Sequence, residues 1–316
     1  MADERMRFRD LTGRGIGSLP TGPLNAITDV TGVEVGQVTV SHGDPPGSPG
    51  EGPARTGVTA IWPGHRDIFE RPVPAGTHVL AGTGEIICMT EIDELGMLAS
   101  PILLTNSMQI GSVYDATARY LMARNPEIGR TTHVTMPVVG ECDDSFLNDS
   151  RGMHVQQQHV FDALDSATGG PVDEGAVGSG TGMICMGFKG GIGTSSRVVE
   201  IGNDAYTVGV LVMTNYGRRR RLTIAGRHLG PELTELTPEI GSGPAAGGTA
   251  WRRLGDRCRG NGRAIDQPST GEACQTRRVR AGARRFRREA TDPANWRWHS
   301  RRPTPSMRCR STASIC

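Results

Sequence analysis

Arg197-Val198-Val199-Glu200-Ile201, then Gly202-Asn203-Asp204, then Tyr206-Thr207-Val208-Gly209-Val210-Leu211-Val212-Met213 read as two strands and their connection. Both runs are apolar and rich in β-branched residues, and the Gly-Asn-Asp bend supplies the tight turn of a hairpin. Just upstream, Gly175 to Gly193 holds eight glycines in nineteen residues. That density suits close backbone approach around a cleft. Further out, strand-like runs recur at Gly32 to Val40, Gly57 to Trp62, Pro101 to Thr105 and His133 to Val139, each bounded by Gly, Pro, Asn or Asp. Between them, Val113, Ala116, Thr117, Tyr120 and Leu121 fall on one helical face. A second helix is expected around His154 to Leu164, and residues 1–25 read as an irregular arm. Strands and helices without strict βα alternation predict an α+β fold over a doubly wound parallel sheet.

The chain has 316 residues, enough to bury a substantial core, with 44 Gly, 20 Pro and only 4% aromatics. Its charged N-terminus has no apolar stretch behind it, and no run approaches the length of a membrane span. A soluble cytoplasmic protein is the expectation. Seven cysteines, an odd and scattered set, do not form a disulfide framework.

The net charge of +2 hides two opposite regions. Residues 251–316 hold 17 Arg and five acids, near +12, whereas residues 1–250 are near −10. The last 66 residues contain only five Ile, Leu, Val or Phe, yet three of the four Trp and four of the seven Cys. So few aliphatic side chains cannot offset the entropy of ordering such a segment. The whole chain has one Lys, Lys189, against 34 Arg, which points to GC-rich coding DNA. The expectation is therefore one domain over 1–250 and, from about residue 245, an Arg-rich segment that is disordered or read out of frame. An Arg-rich tail also raises the alternative of nucleic-acid binding through phosphate attraction. The mixture of Trp and Cys without Lys argues against it.

Several chemistries fail on spacing. Lys189 is followed by Gly-Gly-Ile, so the glycines do not make a phosphate loop. His133, His154 and His159 show no metal-ligand spacing, and Gly178-Ser179-Gly180 is not a nucleophile elbow. No cofactor or metal is called for. Two polar spots remain. Gly140-Glu141-Cys142-Asp143-Asp144 follows an apolar strand and reads either as a grip for a substrate amine or as a solvated acidic loop. Thr214-Asn215-Tyr216-Gly217 follows another, where Asn215 reads either as a turn residue or as an amide donor to a developing oxyanion.

The order of segments resembles the DmpA-type self-cleaving aminopeptidases, which include L-aminopeptidase/D-amidase-esterases and β-peptidyl aminopeptidases. The resemblance rests on Gly22 to Val30 with Gly32 to Gly36, on Pro101 to Asn106, and on Pro137 to Glu141. It continues through Leu147-Asn148-Asp149, Gly178 to Gly193, and Asn215-Tyr216-Gly217 with Leu222-Thr223-Ile224, covering about residues 8–230. It implies a four-layer α/β/β/α sandwich, a homo-oligomer, and a precursor that cuts itself to free an N-terminal hydroxyl nucleophile. It also implies a peptide or amino-acid amide substrate whose free N-terminal amine binds Glu141, with Asn215 as the oxyanion contact. The nucleophile candidates are Thr249, after Gly247-Gly248, and Ser242, between Gly241 and Gly243. Glu141 and Asn215 are then expected at one cleft near 247–249. Here the chain departs from the family pattern. No apolar strand follows Thr249, and the downstream Gly-Ser-Gly-Asp motif has no counterpart. Two alternatives stay open: a catalytically dead remnant, and an acyltransferase of the ornithine acetyltransferase type.

Overall fold

The computed structural model describes residues 7, 9–10, 15–44, 48–80 and 82–233, together with the backbone of 311–315. The chain divides into two units, residues 1–246 with 309–316, and residues 247–308. The second unit, and with it the domain boundary expected at 250, lies outside the described residues.

The first sheet has four strands in the order β1 (Val33–His42), β2 (Ala54–Pro63), β3 (Ile102–Asn106) and β4 (Val138–Cys142). β1 and β2 are antiparallel over ten pairs, β2 and β3 are antiparallel, and β3 and β4 run parallel. The second sheet is built on the hairpin read from the sequence. β5 (Gly191–Ile201) and β6 (Asp204–Thr214) pair antiparallel, with Gly202 and Asn203 forming the turn. A further strand, β7 (Ser311–Ile315), runs parallel to β6 from Thr207↔Ser311 to Leu211↔Ile315. Regular structure is thus present at these five positions of the Arg-rich segment.

Alternation along the first sheet sends its side chains into two cores. Val58, Ala60 and Trp62 of β2, with Leu103 of β3, pack against helices α2 (Ile110–Arg124) and α3 (Gln157–Asp165). Trp62 Nε1 also donates to the Leu164 carbonyl at 3.2 Å. On the opposite face, Val33, Val35, Ile61 and Leu104 join Ile192 of β5 and Leu211 of β6. The first sheet is therefore covered by helices on one face and by the second sheet on the other. Each fully buried large side chain in these clusters contributes roughly 1.5–3 kcal/mol.

The helical period of α2 holds without exception. Val113, Ala116, Thr117, Tyr120 and Leu121 are all buried. α3 starts three residues later than expected, because His159 Nδ1 accepts from the Gln156 backbone N–H (3.0 Å) and so marks the helix entry. The strand expected from His133 begins instead at Val138. Pro137 has no N–H to give to a ladder, and the parallel pairing opens at Ile102↔Val138, each strand starting directly after a proline. The strand continues through polar Glu141 and Cys142 because Thr105 and Asn106 are their partners. A short helix, α1 (Met89–Leu95), carried no periodic signal and ends at Gly96 in the left-handed region.

The glycine-rich stretch lies flat on the first sheet. A Cβ on Gly178 would sit 2.5 Å from Thr59 Oγ1, and one on Gly57 would meet the Gly178 carbonyl at 2.4 Å. Ser179 Oγ is buried against Thr59 Oγ1 at 3.0 Å. These backbones are in direct contact. The opening motif is likewise structural. Asn25 Oδ1 accepts from Ser195 Oγ (2.7 Å) and the Ser196 N–H (3.1 Å), tying the N-terminal arm to β5.

Candidate active site

The parallel pair β3 and β4 brings Thr105 beside Glu141 and Asn106 beside Cys142, at the C-terminal ends of both strands. Beyond β3 the chain turns into a short 3-10 helix, Ser107–Gln109, whose entry is closed by Asn106 Oδ1 accepting from the Gln109 N–H (3.1 Å). That turn aims the Ser107 hydroxyl at Glu141, and Ser107 Oγ donates to Glu141 Oε2. From the other side, the Glu85 N–H donates to Glu141 Oε1 at 2.8 Å, while the Glu141 N–H donates to the Glu85 carbonyl at 3.1 Å. The carboxylate is half-buried and oriented through both oxygens. An acidic group held this way near the start of a helical segment also sits at its favourable dipole end.

Asn215 follows directly on β6. Its Oδ1 accepts from the Ile184 N–H at 3.1 Å, and its Nδ2 donates to the Asp143 carbonyl at 2.7 Å. The structure therefore ties Asn215 to the segment that carries Glu141, two residues from it. Thr249 and Ser242, with the whole of 247–249, lie outside the described residues.

Asp144 and Asn148 form a buried anchor that the sequence did not reveal. Asn148 Nδ2 donates to Asp144 Oδ1 at 3.0 Å, and Asn148 Oδ1 accepts from the Arg55 N–H at 2.9 Å. Asp144 Oδ2 lies near the Thr56 hydroxyl, whose oxygen already accepts from Asn106, and has no hydrogen-bond partner of good geometry among the described residues. Burial pushes the Asp144 carboxyl up to about 6, against the pull of Thr56 and Asn148, and neighbouring Asp143 adds to the rise. Burial, reinforced by Glu141 and Asp143, likewise pushes the Cys142 thiol up to about 11, which favours its neutral form. Asp149 is held below the usual carboxylate range. The backbone N–H groups of Gly50, Gly52 and Arg151 outweigh the opposing effect of burial there. The Leu147-Asn148-Asp149 motif thus clamps the chain entering β2. Its sequence signal was its place among the motifs that carry the family resemblance.

The remaining candidates have structural partners. His133 stacks on Phe69 at 4.8 Å, and His154 meets His42 edge-on at 5.3 Å. Among the described residues no group of three or more His, Cys, Asp or Glu is placed to hold a metal ion. No helix among them is long and apolar enough to cross a membrane. A cleft of about 270 Å³ lined by Trp62, Phe69, Leu121 and Ile128 lies on the helical side of the first sheet and includes neither Glu141 nor Asn215.

Comparison with known proteins places the chain in a family. The chain is 48% identical over 231 residues to the beta-peptidyl aminopeptidase BapA of Sphingosinicella xenopeptidilytica, covering 73% of this chain and 57% of that protein. Against the same enzyme of Sphingosinicella microcystinivorans the identity is 44%, over 73% and 56%. The chain thus spans little more than half the length of these curated relatives. Among solved structures it is similar to the PH0078 protein of Pyrococcus horikoshii OT3, with a TM-score of 0.70 and 46% identity over 72% of this chain and 64% of that one. It is also similar to the L-aminopeptidase D-Ala-esterase/amidase of Ochrobactrum anthropi, described as a variant of the Ntn hydrolase fold (TM-score 0.65, 43% identity, 71% and 62% covered). The match to the family as a whole runs over residues 25–265, well past residue 230, where the motif resemblance ended. The sheet order, the oriented Glu141 and the strand-end Asn215 accordingly sit in a chain that belongs to peptidase family S58.

Proposed function

We propose that this chain descends from, and is built as, an N-terminal-nucleophile aminopeptidase or amidase that releases N-terminal residues from peptides, amides or esters. The observation that carries the reading is the Glu141 carboxylate, oriented by the Glu85 N–H and the Ser107 hydroxyl beside the segment that binds Asn215. In this reading Glu141 grips the substrate's ammonium by charge-assisted hydrogen bonds. Asn215 exchanges its contact with the Asp143 carbonyl for the developing oxyanion. A hydroxyl, from Thr249 or Ser242, attacks the substrate carbonyl. The new C–O bond replaces the C–N bond, the departing amine takes the hydroxyl proton, and water then releases the acyl group. Self-cleavage frees the α-amine that assists this proton transfer. A four-layer α/β/β/α sandwich and a homo-oligomeric state, by analogy with the family, and a cytoplasmic location, from the charged N-terminal segment, complete the proposal.

The direct test is binding of Ala-Ala-Ala and its N-acetyl form to the full chain, with Glu141→Gln alongside. The free-amine peptide should bind at least about ten-fold tighter, and Glu141→Gln should erase that preference. Equal binding of both peptides to the unsubstituted chain would sink the amine grip. Self-processing is read by mass spectrometry, where a fragment of about 27 kDa is expected from roughly 110 Da per residue. The Arg-rich composition after 250 favours a second reading, a catalytically silent chain whose last segment is out of frame. Under that reading, only the uncut chain is seen. The coding DNA, shifted by one nucleotide near codons 240–250, should then encode an apolar strand followed by a Gly-Ser-Gly-Asp-like motif. Immediate stop codons in both shifted frames would exclude it.

A further inference from the structure

Beyond Asn215 the chain carries four consecutive arginines, Arg218 to Arg221. Residues 184–199 and 214–231 hold Lys189, Arg197, these four and Arg227 without a single acid, on a region, 1–250, whose charge is near −10. Lys189 and the four arginines lie around the end of β6 that leads into Asn215, opposite in sign to the Glu141–Asp144 turn that Asn215 contacts, whereas Arg197 stands in mid-strand opposite Val208. The run is mounted rigidly. Arg219 stacks on Phe188 at 4.0 Å, donates to the carbonyls of Gly187 and Leu233, and leads a 3-10 turn closed by the Leu222 N–H on its own carbonyl (2.9 Å). The Met186 N–H donates to the Tyr216 carbonyl at 2.7 Å, fastening the same ladder to the residue after Asn215. Arg218, Arg220 and Arg221 are left exposed, and among the described residues their side chains make no hydrogen bond or ion pair. A merely solvating run needs no such mount.

We infer that this ledge anchors a carboxylate at the far end of a short peptide whose amine is gripped at Glu141. The inference rests on the aminopeptidase reading and extends it to a substrate class: short peptides with a free C-terminal or side-chain carboxylate, in preference to amides. The span is compatible. Main chain covers at most roughly 7 Å from Glu141 to Asp143 and roughly 10 Å from Asn215 to Arg218. A short peptide plus the reach of an arginine side chain covers that distance.

The experiment uses the full chain and measures binding, or KM where turnover occurs, for four probes: Ala-Ala-Ala, Ala-Ala-Ala amide, Ala-Ala-Asp amide and N-acetyl-Ala-Ala-Ala. At low ionic strength the free acid should bind about five-fold tighter than the amide. That ratio should fall toward one in 0.5 M salt, a measurement on the unsubstituted protein that does not depend on any variant folding. The triple variant Arg218→Gln, Arg220→Gln, Arg221→Gln should lose the ratio while its amide binding stays unchanged. The Ala-Ala-Asp amide tells the two carboxylate sources apart: binding like the free acid assigns the anchor to side-chain carboxylates as well, and binding like the plain amide restricts it to the C-terminus. Equal affinity for acid and amide in the unsubstituted chain overturns the anchor, whatever happens at Glu141. A preserved acid preference with no penalty for N-acetylation keeps the anchor and sinks the amine grip instead. Binding of none of the four overturns both.

Discussion

Asn215, three residues before the ledge from Arg218 to Arg221, donates to Asp143 in the turn from Glu141 to Asp149, yet turn and ledge are secured in opposite ways. The acidic turn is held by buried side chains. Asp144 is 1% exposed and Asn148 4%, and each depends on the other and on β2. The basic ledge is held by its own backbone turns and by one arginine laid on a ring, with its remaining charges in water. Like charges buried together are costly unless some are neutral or bonded, so the acidic side must invest in a network. Exposed guanidinium groups need only a stiff support. Substitutions at Asp144 and Asn148 should therefore act on stability, and those at the displayed Arg218, Arg220 and Arg221 on ligand affinity.

The sharpest test of that contrast is Asn148→Ala. It strips one partner from the buried Asp144 carboxyl and one from the part-buried Arg55 N–H, and should cost roughly 3–5 kcal/mol in urea unfolding. A loss below about 1 kcal/mol would mean the turn is anchored elsewhere.

Asp144→Asn comes next, and its effect depends on pH. The folded carboxyl is raised from 3.8 to about 6, so its ionised form is disfavoured in the fold. Its favourable contribution is complete below 3.8 and is lost as pH rises through about 6. The neutral amide should therefore match the parent at pH 4 and exceed it by roughly 2–3 kcal/mol at pH 8. A difference between the two proteins that is flat from pH 4 to 8 would refute the buried acid.

On the ledge, Arg219→Ala removes the stack on Phe188 and two carbonyl partners, and about 1–2 kcal/mol is expected from thermal unfolding. Arg220→Gln should change stability by no more than about 0.5 kcal/mol. A larger loss at Arg220 than at Arg219 would invert the proposed division between mount and display.

Much of the frame was legible because its signals are local. The face of α2 follows from a 3.6-residue period, and the β5–β6 hairpin follows from two apolar runs around Gly202-Asn203. The beginning of β4 was misread because apolar content before Pro137 resembled a strand, whereas ladder pairing opens only after it. Glu141 and Asn215 stood out as polar residues at strand ends. Their partners did not. Glu85 and Ser107 lie 56 and 34 residues from Glu141, and Asp143 lies 72 from Asn215.

Sequence alone determined the α+β class, the hairpin, the amphipathic helix, the strand-end positions of Glu141 and Asn215, and the break in composition near 250. Periodicity, turn chemistry and residue counts are properties of neighbouring residues, and they need no knowledge of what packs against what. Only the tertiary structure decided that Glu141 is oriented by Ser107 and Glu85, that Asp144 is buried beside Asn148, and that glycine 178 presses on Thr59. Those facts depend on which strands become parallel neighbours and how closely two sheets approach. Hydrogen bonds and desolvation are set by such non-local contacts, and they convert an acidic stretch into a grip, an anchor and a clamp.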